Sequence, residues 1–207
     1  MTDPGTQPTS LGVGVLTIAE DRTLESDEAG SRVVEGLESA GHKLVTREHI
    51  GPSYDRVQST VKRLTERDDL DVLVTVGATG VDPTDVTIEA VRQLVDRELT
   101  GFGQLFTILG YERIGTGIVA GRTLAGMAEE VFVCCLPGHP DAAELAVEEI
   151  VRPEVPGIVA TARGEGPSNG PVDADEEASV DEQATADEEA SGDEGTSGDG
   201  ETTAEEE

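Results

Sequence analysis

The stretch DVLVTVGATGVDPTDVTIEAV, Asp71 to Val91, decides the fold. Asp71–Val76 is a short apolar run rich in β-branched residues, the signature of an interior strand buried on both faces. It stops at Gly77-Ala78-Thr79-Gly80, and Thr84 or Asp85 then caps a helix expected to run through Val95. The unit reads strand, glycine loop, helix. Working outward toward the N-terminus, Leu11–Ala19 (LGVGVLTIA) is a second strand of the same buried kind. In SRVVEGLESAG, Val33, Val34, Leu37 and Ala40 form one helical stripe that Gly41 terminates. His42–Ile50 reads as a strand, and Tyr54–Glu66 as a helix with Val57, Val61 and Leu64 on one face. This β-α alternation with short links predicts an α/β domain with a mostly parallel sheet covered on both faces.

Toward the C-terminus the pattern loosens. Thr100–Gly110 reads as a turn plus helix, whereas GTGIVAGRTLAGMAEE is glycine-rich and without a clear period. Glu130–Leu136 (EVFVCCL) is a buried strand. It leads into a turn, a helix from Pro140 or Asp141, and an exit broken by prolines. The strand carries the chain's two cysteines, Cys134 and Cys135. Adjacent thiols make neither a disulfide framework nor a zinc spacing, so they read as inert core residues. One domain, residues 8–163, is expected, between a flexible N-terminus (1–7) and a disordered acidic tail (164–207).

Charge supports that division. Of 207 residues, 44 are acidic and 14 basic, a net of -30, and only two of the basic residues are lysine. From Glu165 onward there are 17 acids and no Lys or Arg, in a background of Gly, Ser, Thr and Ala that has too little to bury. A nucleic-acid binder working by phosphate neutralisation is excluded, and an anionic membrane is disfavoured. The acid-for-lysine balance of the rest fits a surface adapted to very high salt, as in a halophilic archaeon. No 18-residue apolar run or leader-like start is present, so a soluble, cytoplasmic protein is expected.

Two loops carry chemistry. Gly77–Gly80 follows a central strand, and its amides suit an anion, yet it has neither the P-loop spacing nor GxGxxG. A plain tight turn explains the glycines equally well. Asp82, Asp85 and Thr87 follow at once. A carboxylate beside a phosphate loop makes sense with a divalent cation between them, and Asp85 also fits a simple N-cap. Leu136–Pro140 (LPGHP) ends another strand, at the carboxyl side of the sheet where ligands bind in open α/β folds. His139 fits either a ligand contact or a solvent-facing loop. His42 and His49 read as structural or surface residues, and no Ser-His-Asp or Cys-His arrangement is evident.

Five motifs in order, VLTIAEDRTLESDEAG, TVGATGVDPTDVTIEAV, ELTGFGQLF, GRTLAG and LPGHPDA, resemble the MogA/MoaB molybdenum-cofactor biosynthesis family over Leu11 to Pro156. The resemblance implies a three-layer α/β/α domain that binds molybdopterin and, using Mg²⁺ and ATP, adenylylates its terminal phosphate with release of pyrophosphate. It implies a homotrimer or homohexamer, and a MoeA-type molybdenum insertion protein as the partner that consumes the adenylate. The family's TxGGTG loop falls on Thr75–Gly80, its RD-x-T segment places Asp at Asp85 and Thr at Thr87, and a following acid is Glu89. PGFGE falls on Thr100–Gln104, SRAxxG on Gly121–Gly126, and LPG-x-P on Leu136–Pro140. Asp21 and Arg22 match an SDR-like stretch, with Asp27 and Gly30 at its later acidic and glycine positions.

On this resemblance Asp85 is the catalytic and metal-positioning residue. Gly77, Ala78, Thr79 and Gly80 hold phosphate oxygens, Gly138 lets the second loop approach, and Thr87, Ser53 and Arg122 are further ligand contacts. The chain also departs from the pattern. Ala78 replaces the second loop glycine, Thr84 an arginine, Gln104 a glutamate, Ser53 an aspartate and Gly121 a serine. A noncatalytic molybdopterin-binding member is the alternative reading these changes support.

Overall fold

The structure is a computed structural model, described here for residues 10–165; the expected flexible N-terminus and acidic tail lie outside the described residues apart from Gly164 and Glu165. Six strands form one sheet in the order β2-β1-β3-β6-β5-β4. They are β1 (Gly12–Ile18), β2 (Lys43–Ile50), β3 (Val72–Val76), β4 (Arg97–Glu98), β5 (Leu124–Ala128) and β6 (Val131–Leu136). The first four in spatial order are parallel, and β5 and β4 are antiparallel additions. The helices are α1 (Glu28–Ser39), α2 (Tyr54–Thr65), α3 (Thr87–Arg92), α4 (Thr100–Ile114), α5 (Pro140–Ala146) and α6 (Arg152–Ala162), the last two joined without a break by a π-helical turn, Val147–Val151.

Period-two alternation divides the core into two layers. Val13, Val15, Val72, Val74, Phe132 and Cys134 face α1, α4, α5 and α6, meeting Val33, Leu37, Phe106 and Val147. Leu16, Ile18, Leu73, Val133 and Cys135 face α2 and α3, meeting Val57, Val61, Leu64, Ile88 and Val91. Cys134 and Cys135 therefore point to opposite sides of the sheet. Burial pushes the Cys134 thiol well up and that of Cys135 to about 12, so neither forms a thiolate at neutral pH. Iodoacetamide at pH 8 is expected to leave both unmodified in the native protein and to label both in denaturant; native labelling of either would contradict the buried assignment.

Several elements differ from the sequence expectation. The helix after the glycine loop spans only Thr87–Arg92, and Val86 occupies its N-cap position without a side-chain bond. Neither Thr84 nor Asp85 caps it, because both are engaged in a turn around Asp82. The unassigned glycine-rich stretch becomes a 3₁₀ turn (Gly115–Ala120) followed by β5. That strand pairs with β6 through a tight turn in which Glu129 takes φ 55°. The two-residue β4 has no sequence signal and exists through its pairing with Gly126 and Met127. The prolines do not break the exit: α5 runs on through the π-helical turn (Val147–Val151) into α6, Pro153 follows directly on that widened turn, and Pro156 lies inside α6.

The connections position the site. From β1 the chain passes through α1 to β2, then through α2 on the opposite face to β3 on the other flank of β1. The crossovers leave in opposite directions, which opens a crevice at the carboxyl ends of β1 and β3. The glycine loop lies there.

Candidate anion-binding site

Gly77 takes φ 100°, and a Cβ on it would fall 2.5 Å from the Ile18 carbonyl oxygen, so only glycine lets β3 leave the sheet this close to β1. Ala78 follows at φ 49°, so the chain keeps the left-handed turn despite a side chain there. That conformation costs an alanine about 1 kcal/mol. Ala78→Gly is accordingly expected to raise stability by about 0.5–1 kcal/mol in chemical denaturation at high KCl, and a lower midpoint would show that the Ala78 methyl contributes packing.

The loop is fastened from beneath by Thr87. Its fully buried hydroxyl donates to the Gly77 carbonyl at 2.9 Å and its amide to the Ala78 carbonyl at 3.0 Å. The Gly77 amide donates to the Leu136 carbonyl at 3.0 Å, tying the loop to the end of β6. Among the described residues, the amides of Ala78, Thr79 and Gly80 donate to no protein acceptor. Successive amides with tethered carbonyls form a concavity suited to an anion. Thr87 thus acts through the loop backbone.

Asp85 is half-buried, and its Oδ2 accepts from the Asp82 amide at 3.0 Å. The same oxygen lies 2.7 Å from where a Gly80 Cβ would stand, so the carboxylate closes over the end of the loop. Asp82 in turn accepts from the Thr84 amide (2.9 Å) and hydroxyl (2.7 Å), which together hold its carboxyl below the ordinary carboxylate range. Asp85 forms no ion pair among the described residues. No group of three or more His, Cys, Asp or Glu side chains able to hold a metal by themselves occurs among them either. A single carboxylate beside free amides fits Mg²⁺ bound chiefly through substrate phosphates.

The second loop meets the first. A Cβ on Gly138 would lie 3.2 Å from the Gly77 Cα and 3.5 Å from Arg22 Nη1, and Arg22 Nη1 donates to the Gly138 carbonyl at 3.0 Å. Sequence reasoning matched Arg22 to a motif without giving it a role. Ser53 follows β2 at the same carboxyl side of the sheet, exposed, at the N-cap position of α2 and without a side-chain cap bond. Arg122 is paired with Glu89 at 2.6 Å. His139 is exposed at the start of α5. His42 is buried, accepts from the Leu11 amide at 3.4 Å, and is held on the neutral side by burial and by Arg152. It is structural, as the sequence suggested.

A crevice at a parallel-sheet switch point, floored by a glycine loop with free amides and flanked by one carboxylate, defines an α/β domain with a candidate anion site. Residues 14–157 match the family model described as "Probable molybdopterin binding domain", and the chain belongs to that family. It is 36% identical over 149 residues to molybdenum cofactor biosynthesis protein B of Bacillus cereus, covering 72% of this chain and 88% of that protein. A crystal structure of a molybdenum cofactor biosynthesis protein B superposes with TM-score 0.75 at 34% identity, over 77% of this chain and 99% of that one. The tungsten cofactor synthesizing protein MoaB from Pyrococcus furiosus gives 0.68 at 30% identity, over 76% and 99%.

Proposed function

We propose that this protein binds molybdopterin and adenylylates it in molybdenum cofactor biosynthesis. The observation that carries the reading is the run of free amides at Ala78, Thr79 and Gly80, held open by Thr87 and faced by Asp85. A phosphate oxygen of the pterin attacks the α-phosphorus of ATP, the bond from that phosphorus to the bridging oxygen breaks, and pyrophosphate leaves. Bringing two anions into line and relieving their repulsion is the main demand of such a step. The loop amides would hold phosphate oxygens, and the glycine contact at Gly77 and Gly138 would let both loops approach the ligand. Asp85 would hold Mg²⁺, which supplies charge neutralisation between the phosphates. The adenylate would pass to a MoeA-type insertion protein, and the working form would be a homotrimer or homohexamer.

One observation favours the noncatalytic alternative. Thr84 stands in place of an arginine and serves the Asp82 turn, so the loop lacks one cation of the family pattern. Incubation with molybdopterin, ATP and Mg²⁺ in multimolar KCl, scoring adenylylated pterin and pyrophosphate together, separates the two readings. Both products are expected in equal amounts. Pterin binding with neither product would support the noncatalytic reading.

A further inference from the structure

We infer that Arg22 is the cation that receives the ligand's phosphate in this crevice; the choice of ligand rests on the molybdopterin reading above. Cations are few at the carboxyl side of the sheet: Arg56, in the first turn of α2, is exposed and makes no ion pair among the described residues, but its side chain has no hydrogen bond to either loop. Glu20, Asp21, Asp82 and Asp85 all lie in its loops, and an anion entering among four carboxylates needs a compensating cation. Arg122, the cation that sequence reasoning chose, gives its Nη2 to Glu89, whereas the ion pair of Arg22 with Asp21 takes only its Nε. Arg32 is shared among Glu28, Asp141 and Glu144. Arg47 turns inward, donating to the Leu24 and Asp27 carbonyls and to the Ser31 hydroxyl.

Arg22 is placed differently. Its Nη1 is anchored on the Gly138 carbonyl and its Nε on the exposed Asp21, while Nη2 has no acceptor among the described residues. Gly138 in turn lies against Gly77, the first residue of the amide loop. One guanidinium therefore touches the second loop where the two loops meet, with one nitrogen left for a ligand. A planar fork fixed on one side and open on the other is suited to a phosphate oxygen. The segment carrying it is braced from below: Arg47 holds the Leu24 and Asp27 carbonyls, and the buried Asp27 carboxylate accepts from the Thr17 hydroxyl at 2.5 Å and the Gly30 amide at 3.1 Å. Arg22 thus arrives at the crevice with little freedom left to lose.

The test compares the full-length parent with Arg22→Gln, Arg22→Lys and Arg56→Gln, measuring fluorescence binding of molybdopterin and of the same pterin stripped of its phosphate. Arg22→Gln is expected to weaken molybdopterin binding by at least about 30-fold and dephosphorylated-pterin binding by less than about threefold. Arg22→Lys should recover part of the loss, and Arg56→Gln should stay within about threefold. An equal loss for both pterins would mean that Arg22 only braces the Gly138 loop, and that would overturn the inference. So would molybdopterin binding unchanged in Arg22→Gln. If the parent binds neither pterin, the molybdopterin reading fails by itself, and Arg22 is judged on inorganic pyrophosphate. A loss confined to Arg22→Gln would then uphold its role, and no pyrophosphate binding by the parent would end it.

Discussion

Asp85→Asn is expected to slow adenylylation by at least about 100-fold, about 2.7 kcal/mol of barrier, while leaving the fold intact. The structure makes this substitution clean. Asp85 does not cap α3, since Val86 holds the N-cap position, so no helix start is at stake. Its one fixed bond is to the Asp82 amide, and an asparagine carbonyl accepts that bond as well. The change removes charge and little else. Thermal stability should stay within about 0.5 kcal/mol of the parent. Molybdopterin affinity should change by less than about threefold, because Mg²⁺ would serve mainly the nucleotide phosphates. Activity within about threefold of the parent would remove Asp85 from the reaction and leave it a turn residue.

Ile108→Asp is expected to convert a stable oligomer into monomers. On α4, Leu105, Ile108, Tyr111 and Ile114 recur every third residue and are all exposed, and Val119 in the following turn is 84% exposed. Each neighbours the next at i,i+3 spacing, so they form an apolar band that winds across the exposed part of α4, and large apolar side chains clustered outside the core mark a candidate association surface. On the oligomer proposed above, charge suits a second copy to this surface. In a chain of net -30, most surfaces repel their own copies, yet Leu99–Ala128 carries one acid, Glu112, against Arg113 and Arg122. Light scattering in multimolar KCl should give three or six copies for the parent. An aspartate buried unpaired at the contact costs about 3–5 kcal/mol, which weakens association by two to three orders of magnitude or more. A concentration-independent monomer for the parent would refute the assignment.

The parallel half of the fold is legible because its signals are local. Leu11–Ala19 and Asp71–Val76 are apolar runs of strand length, and Val33 with Leu37, or Val57 with Val61 and Leu64, repeats at helical spacing. The other half depends on pairing. Leu124–Ala128 is glycine-bearing and lacks alternation, because both its faces are buried; Arg97 and Glu98 form a strand solely by lying beside it. At the site, sequence located the glycine loop and Asp85. It put Arg122 among the ligand contacts and gave Arg22 no role, because the difference between them rests on Glu89, 33 residues from Arg122, and on Gly138, 116 from Arg22. It also could not tell whether Asp85 bonds forward into the helix or back to Asp82, a choice made by the turn that Thr84 closes.

The two borders of the sheet bear on how this protein avoids misassembly. One border is β2, whose eight residues include Lys43, Arg47 and Glu48; the other is β4, two residues long and charged at both. A growing β-stack requires a long, neutral, flat strand on which to dock, and neither border offers one. Copies of this chain therefore find no template for strand addition along the described sheet. If the oligomer proposed above forms through the apolar band on α4, self-recognition is left to a contact that can saturate.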